Sequence, residues 1–133
     1  MINLFAVCKN DRFLRVAARM LENKGINLVD TCTHPDQVIN GLLMCRPVPD
    51  IILLDANWHT RSYCGDQLLE QLLKVSDPPP KIIMITNIYE ETTIKKLKAM
   101  GASGYFYRSS GHPDKIFECI KSVHEGENYF QEN

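Results

Sequence analysis

The sequence predicts an α/β domain in which a five-stranded parallel sheet carries helices on both faces. Three observations lead to this fold class. Short, nearly continuous apolar runs recur at residues 4–7, 51–54 and 82–85, as in strands buried on both faces of a parallel sheet. Segments with apolar residues at helical spacing lie between them. The 133 residues match the size of one domain and are too few for two.

The first two strand–helix repeats run from the N-terminus to about residue 44. After the first strand, one apolar helix face is formed by Phe13, Val16, Ala17, Met20 and Leu21. Gly25 follows the end of that helix. The second strand covers residues 26–32, and Pro35 opens the next helix. The apolar stripe of that helix is Val38, Ile39, Leu42 and Leu43.

The remaining three repeats complete the chain. The third strand ends at Asp55 and leads through a polar loop into a helix over about residues 66–75. Three prolines at 78–80 break the chain before the fourth strand, which ends at Thr86. A helix over about residues 90–100 ends at Gly101, and the fifth strand, residues 105–107, precedes a last helix over about residues 113–124. Because strands alternate with helices, right-handed crossovers place helices on both faces of the sheet.

Composition and charge favour a cytoplasmic protein without a nucleic-acid or membrane partner. With a formal net charge of -1, the chain has no overall positive potential that would attract nucleic acid. Lys95, Lys96 and Lys98 are interpreted as the solvent-exposed face of a helix. The apolar runs are too short to span a bilayer, and the N-terminus lacks the pattern of a signal peptide. The cysteines at positions 8, 32, 45, 64 and 119 are odd in number and form no C-x-x-C pair, which favours a reducing compartment.

Polar side chains follow four of the predicted strands at the edge where ligands bind in an open α/β sheet. They are Cys8 and Lys9 after the first strand, Asp55 after the third, Thr86 after the fourth and Arg108 after the fifth. A carboxylate beside a hydroxyl and a guanidinium provides a nucleophile, an oxygen donor and an anion clamp, which together form a phosphoryl-acceptor site. Asp55 alone fits a turn residue or a helix cap equally well, so the prediction depends on the whole group.

Four blocks of the sequence resemble response-regulator receiver domains (CheY-like) from Asn3 to about Gly126. They are residues 4–7 with the helix end at 20–22, residues 49–55, residues 82–86 and residues 99–108. The resemblance implies the flavodoxin-like receiver fold over residues 1–126, with residues 127–133 as the start of a linker or tail. The chain is most similar to the subfamily in which a LuxR-type DNA-binding domain follows the receiver.

The resemblance also implies roles for individual residues. Asp55 is expected to accept phosphate from a sensor histidine kinase, with Thr86 and Arg108 as donors to the phosphoryl group. Tyr105 corresponds to the aromatic switch that turns inward on activation. Asn57, two residues after the phosphoacceptor position, would offer a backbone carbonyl to a metal ion.

The acidic pair that binds the metal in receivers is replaced in this sequence. Counting back from the end of the first helix puts Cys8 and Lys9 at the two positions. Asn10 and Asp11 lie two residues too far along, unless the end of the strand is remodelled. Mg²⁺ prefers oxygen ligands, and neither Cys8 nor Lys9 provides a carboxylate. We therefore expect the magnesium site at Asp55 and Asn57 to be weak or absent, and no other cofactor is predicted. An ammonium group about 4 Å from Asp55 would interact with it by about 4 kcal/mol at an effective dielectric near 20, enough to hold the site without metal.

Two functions remain open from the sequence. The first is an atypical receiver, a non-enzymatic signalling module that docks a histidine kinase or another signalling protein, or forms a homodimer. Either Lys9 and Arg108 neutralise Asp55 permanently, or another signal sets the conformation. The alternative is a conventional phosphoacceptor receiver that regulates transcription through a LuxR-type DNA-binding domain absent from this chain. Cys8 beside Lys9 also permits a redox role, although a cysteine ending a buried strand is more often a small core residue.

Overall fold

The parallel sheet predicted from the sequence is present in the computed structural model, which describes residues 2–8, 15–16, 18–19, 21–55, 65–86, 90–107 and 114–130. The strands are β1 (Ile2–Val7), β2 (Ile26–Cys32), β3 (Ile51–Asp55), β4 (Lys81–Thr86), β5 (Gly104–Tyr107) and β6 (Tyr129–Phe130). They are ordered β2-β1-β3-β4-β5-β6, and each neighbouring pair is parallel. The predicted α/β class is confirmed, and the sheet has one short strand more than predicted.

Helices follow the strands close to their predicted bounds. Helix α1 includes the helical residues 15, 16, 18, 19 and 21. The others are α2 (Val38–Met44), α3 (Gly65–Leu73), α4 (Glu91–Met100) and α5 (Asp114–His124). Short 3-10 turns at Glu22–Lys24 and Pro35–Gln37 precede β2 and α2. Among the described helices, none is long and apolar enough to cross a membrane.

Two apolar layers cover the sheet because successive side chains of a strand point to opposite faces. On one face, Phe5, Leu54 and Met84 belong to a buried cluster that includes residues of α2, α3 and α4. On the other face, Leu53 and Ile83 belong to a cluster with residues of α1 and α5. Every residue of β3 is buried, which explains why this strand has a continuous apolar run in the sequence.

Two residues that were predicted to face inward are exposed instead. Val16 of α1 is 50% exposed, and Leu43 of α2 is 54% exposed. In α2 the buried residue is Val38, and Ile39 and Leu42 pack against the cluster from partly buried positions. The apolar stripe predicted for α2 is therefore wider than the part of the helix surface that packs against the sheet. Leu43 lies at the solvent-exposed edge of this stripe.

The chain returns to the sheet after α5 and forms β6. Tyr129 pairs with Gly104 and Phe130 pairs with Tyr105, while the backbone N–H of Tyr129 donates to the carbonyl oxygen of Ser103 at 3.0 Å. A Cβ atom at Gly104 would lie 3.0 Å from the backbone oxygen of Tyr129, so glycine permits this close approach. Residues 129 and 130, which fall in the predicted tail, thus extend the sheet.

Candidate functional site

The carboxyl ends of β1, β3 and β4 bring three of the predicted site residues to one edge of the sheet. The register of β1 on β3 places Cys8 next to Asp55. Asp55 pairs with Ile85 in β4, and Thr86 follows directly. Asp55 and Thr86 are each 2% exposed, and they are the buried polar residues among those the structure describes.

Cys8 contacts the carboxylate of Asp55 directly. Its thiol donates a hydrogen bond to Oδ2 of Asp55 over an Sγ–Oδ2 distance of 3.6 Å. The backbone N–H of Cys8 donates to the carbonyl oxygen of Cys32 at 3.0 Å, which fixes the end of β1 against β2. Cys8 is fully buried, as expected of a small core residue. The side chain at position 8 therefore lies in direct contact with the Asp55 carboxylate.

Tyr105 lies inside the sheet–helix core and is 1% exposed. It pairs with Met84 in β4 and belongs to the same buried cluster as Leu97 of α4. On its other side it pairs with Phe130 of β6. The ring at the predicted switch position is thus buried between the sheet and α4, next to the edge strand β6.

The described side chains at this edge include one carboxylate and one thiol that could act as metal ligands. Mg²⁺ demands near-octahedral oxygen ligation, whereas Asp55 provides one carboxylate and Cys8 provides a soft sulfur donor. Within the described ranges, no group of three or more His, Cys, Asp or Glu residues could hold a metal ion. Lys9, Asn57 and Arg108 lie outside the described residues, so their places around Asp55 remain predictions.

The other described cysteines have structural environments. The thiols of Cys32 and Cys45 donate to the carbonyl oxygens of His34 and Gly41 at 3.1 and 3.2 Å. Burial raises the pKa of both thiols, and it raises the pKa of Cys119 to about 12. These side chains stay protonated at neutral pH and pack as small apolar groups.

The sixth strand is a feature next to the site that the sequence did not predict. Phe130 pairs with Tyr105, and the ammonium of Lys98 lies 5.1 Å from the centroid of the Phe130 ring. The available signal was the pair of aromatic residues, Tyr129 and Phe130, since aromatic residues favour strands. The chain after α5 is thereby fixed against the strand that carries the predicted switch.

Comparisons with known proteins agree with this fold. A family model described as the response regulator receiver domain matches residues 7–121. Similar solved structures include the isolated REC domain of RcsB from Salmonella enterica serovar Typhimurium with the phosphomimetic BeF3-. Its TM-score is 0.86 at 16% identity, covering 98% of this chain and 94% of that chain.

Two further structures have the same fold at similarly low identity. A two-component response regulator of the LuxR family from Aurantimonas sp. SI85-9A1 has a TM-score of 0.83 at 18% identity, covering 96% of this chain and 87% of that chain. The receiver domain of the putative response regulator NarL from Mycobacterium tuberculosis has a TM-score of 0.79 at 16% identity, covering 95% and 98% of the two chains. None of the curated proteins compared with this chain matches it significantly in sequence.

Proposed function

The chain belongs to the response regulator receiver domain family, and on that premise we propose that it is an atypical receiver with Asp55 in an impaired metal site. Receiver domains are the signalling modules of two-component systems. The observation that carries the proposal is the 3.6 Å contact between Sγ of Cys8 and Oδ2 of Asp55. At this distance a carboxylate at position 8 would share an ion with Asp55, but the chain has a thiol there.

The change in charge supports the same conclusion. Relative to a receiver with two acidic residues after β1, Cys8 and Lys9 remove two negative charges and add one positive charge. Magnesium affinity and metal-assisted phosphotransfer should both fall, because each depends on negative oxygen ligands around the ion. Lys9 and Arg108 then act as permanent counter-charges to the buried Asp55 carboxylate.

The position of Tyr105 supports one preferred conformation. Turning the ring out of the core would forfeit on the order of 2 kcal/mol of apolar burial, which favours the inward position about thirtyfold. Phe130 on β6 adds to the surface that would be uncovered. The domain therefore signals by offering a fixed surface, as a non-enzymatic cytoplasmic module, to a histidine kinase, another signalling protein or a second copy of itself.

Intact mass measured after incubation with acetyl phosphate and magnesium tests the proposal. We expect no phosphoryl adduct on the wild-type chain, because the metal-assisted step lacks its ligands. The double variant Cys8→Asp with Lys9→Asp should gain an adduct, and adding Asp55→Asn should abolish it. Stoichiometric labelling of wild type that disappears in Asp55→Asn would instead establish the conventional phosphoacceptor receiver.

A further inference from the structure

The last described strand, β6, is short and lies at the edge of the sheet. It consists of Tyr129 and Phe130, and both residues are half-buried. Tyr129 packs against the cluster that includes residues of α5, whereas Phe130 packs against the opposite cluster, which includes Leu97 of α4. The two side chains therefore hold β6 on both faces of the sheet, over a length of two residue pairs.

Phe130 closes the side of Tyr105 that faces the edge of the sheet. The two residues are paired in neighbouring parallel strands, so their side chains lie next to each other on the α4 face. The ammonium of Lys98 on α4 lies 5.1 Å from the centroid of the Phe130 ring, which is within cation–π range. Without β6, the strand that carries Tyr105 would be the edge strand. The 1% exposure of Tyr105 is thus reached with β6 in place.

Helix α5 ends without a contribution from β6. The backbone N–H of Gly126 donates to the carbonyl oxygen of Val123 at 3.1 Å. The next N–H, that of Glu127, donates to the carbonyl oxygen of Ser122 at 3.0 Å. With a φ of 96° at Gly126, these bonds form a Schellman cap, which satisfies the last carbonyl groups of the helix locally. β6 can therefore leave the sheet without unwinding α5.

We propose that β6 is a detachable strap that holds Tyr105 inward, and that its release changes the surface that the domain offers to a partner. Release would leave β5 as the edge strand, whose backbone N–H and C=O groups can then pair with another strand. It would also uncover the side of the Tyr105 ring that Phe130 closes. The inference rests on the proposed function in one respect, the role of Tyr105 as the switch. It requires neither phosphate nor metal at Asp55.

Native-state hydrogen exchange on the full chain tests whether the strap detaches. The Tyr129 amide donates to the carbonyl oxygen of Ser103 at 3.0 Å, so it exchanges when β6 leaves β5. Because a detachable strap opens locally, this amide should exchange at least about a hundredfold faster than that of Leu53 in the buried strand β3, after correction for intrinsic rates. Equal protection of the two amides would show that β6 leaves only when the whole domain unfolds, and would overturn the proposal.

The contact between Lys98 and Phe130 provides a mild perturbation of the strap. Lys98→Gln removes the cation and should speed exchange at the Tyr129 amide by about threefold. Lys95→Gln is the matched control, because Lys95 is exposed on the same helix and pairs with Glu91 at 3.8 Å. Equal exchange rates in the two variants would contradict a contribution of Lys98 to holding β6.

Fluorine NMR of the full chain with 3-fluorotyrosine tests whether the strap holds Tyr105. Tyr105→Phe assigns the resonance, which in the wild type should be protected from broadening by a soluble nitroxide. Phe130→Ala removes the neighbouring ring and should make the Tyr105 resonance broaden with the nitroxide severalfold more than in the wild type.

Phe117 of α5 offers a matched control for the loss of a ring. It is also half-buried, and the ammonium of Lys24 lies 4.9 Å from its centroid, but it packs against the opposite cluster. Phe117→Ala should therefore leave Tyr105 protected. Continued protection of Tyr105 in Phe130→Ala, or equal broadening in Phe130→Ala and Phe117→Ala, would overturn the proposal. The two proposals fail separately, because labelling by acetyl phosphate reports on Asp55 and nitroxide broadening reports on the strap.

Discussion

Substituting Cys8 by aspartate should destabilise the metal-free domain and make its stability depend on magnesium. In the structure, Sγ of Cys8 lies 3.6 Å from Oδ2 of Asp55, and Asp55 is 2% exposed. Cys8→Asp would therefore place a second carboxylate against a buried one. Two like charges about 4 Å apart repel by about 4 kcal/mol at an effective dielectric near 20.

The pair can avoid this repulsion only by holding a proton or a cation. Keeping one carboxyl protonated at pH 7 costs about 4 kcal/mol, since its ordinary pKa is near 3.9. The two costs are similar, and a Lys9 ammonium near the pair would offset part of either. We expect a loss of about 2–4 kcal/mol in the free energy of unfolding at pH 7.

Urea unfolding at several pH values, with and without magnesium, measures this loss. Repulsion raises the folded-state pKa of the pair, so the loss is small near pH 4 and grows as the pH rises above that value. Low-millimolar magnesium should recover part of it, because two adjacent carboxylates suit the ion. The control is Cys8→Asn, which has a similar shape and no charge.

Equal losses in Cys8→Asp and Cys8→Asn would refute the electrostatic argument. In that case the damage would come from the shape of the new side chain rather than from its charge. A Cys8→Asp protein whose stability does not change with pH or magnesium would contradict the assignment of position 8 to the acidic pair.

Two further predictions concern the edge strand and a buried thiol. Gly104→Ala should lower the free energy of unfolding by about 1–3 kcal/mol through overpacking, because the new Cβ would lie 3.0 Å from the backbone oxygen of Tyr129. Faster hydrogen exchange at the Tyr129 amide would show that the damage lies at this contact. Unchanged exchange there would contradict the explanation. Burial raises the pKa of Cys119 to about 12 from an ordinary value of 9.0, so the folded state keeps a proton that the unfolded chain releases. Stability should fall by about 1.4 kcal/mol per pH unit as the pH rises from 9 towards 12, and urea unfolding of Cys119→Ala should lack that part of the slope.

Much of the fold was predictable because buried parallel strands leave continuous apolar runs. The run ending at Asp55 corresponds to a strand whose residues are all buried. Helical spacing defines an apolar face, but the part of that face that meets the sheet depends on how the helix lies. This is why Val16 and Leu43 were wrongly predicted to face inward. The two residues of β6 are too few to show a periodicity, and their pairing with β5 is a tertiary effect.

The candidate site was partly predictable for a similar reason. Parallel strands end at one edge, so counting residues to the strand ends placed Cys8, Asp55 and Thr86 together. The direct thiol–carboxylate contact needed the register of β1 on β3 and could not be read from the sequence.

Magnesium titration followed by tryptophan fluorescence tests the central claim most directly. The single tryptophan of the chain, Trp58, comes three residues after Asp55 in the sequence. The wild-type chain should show no saturable change at low-millimolar magnesium, and the double variant Cys8→Asp with Lys9→Asp should show one. A saturable change in the wild type that is lost in Asp55→Asn would contradict the account, as would a double variant with no gain in magnesium affinity.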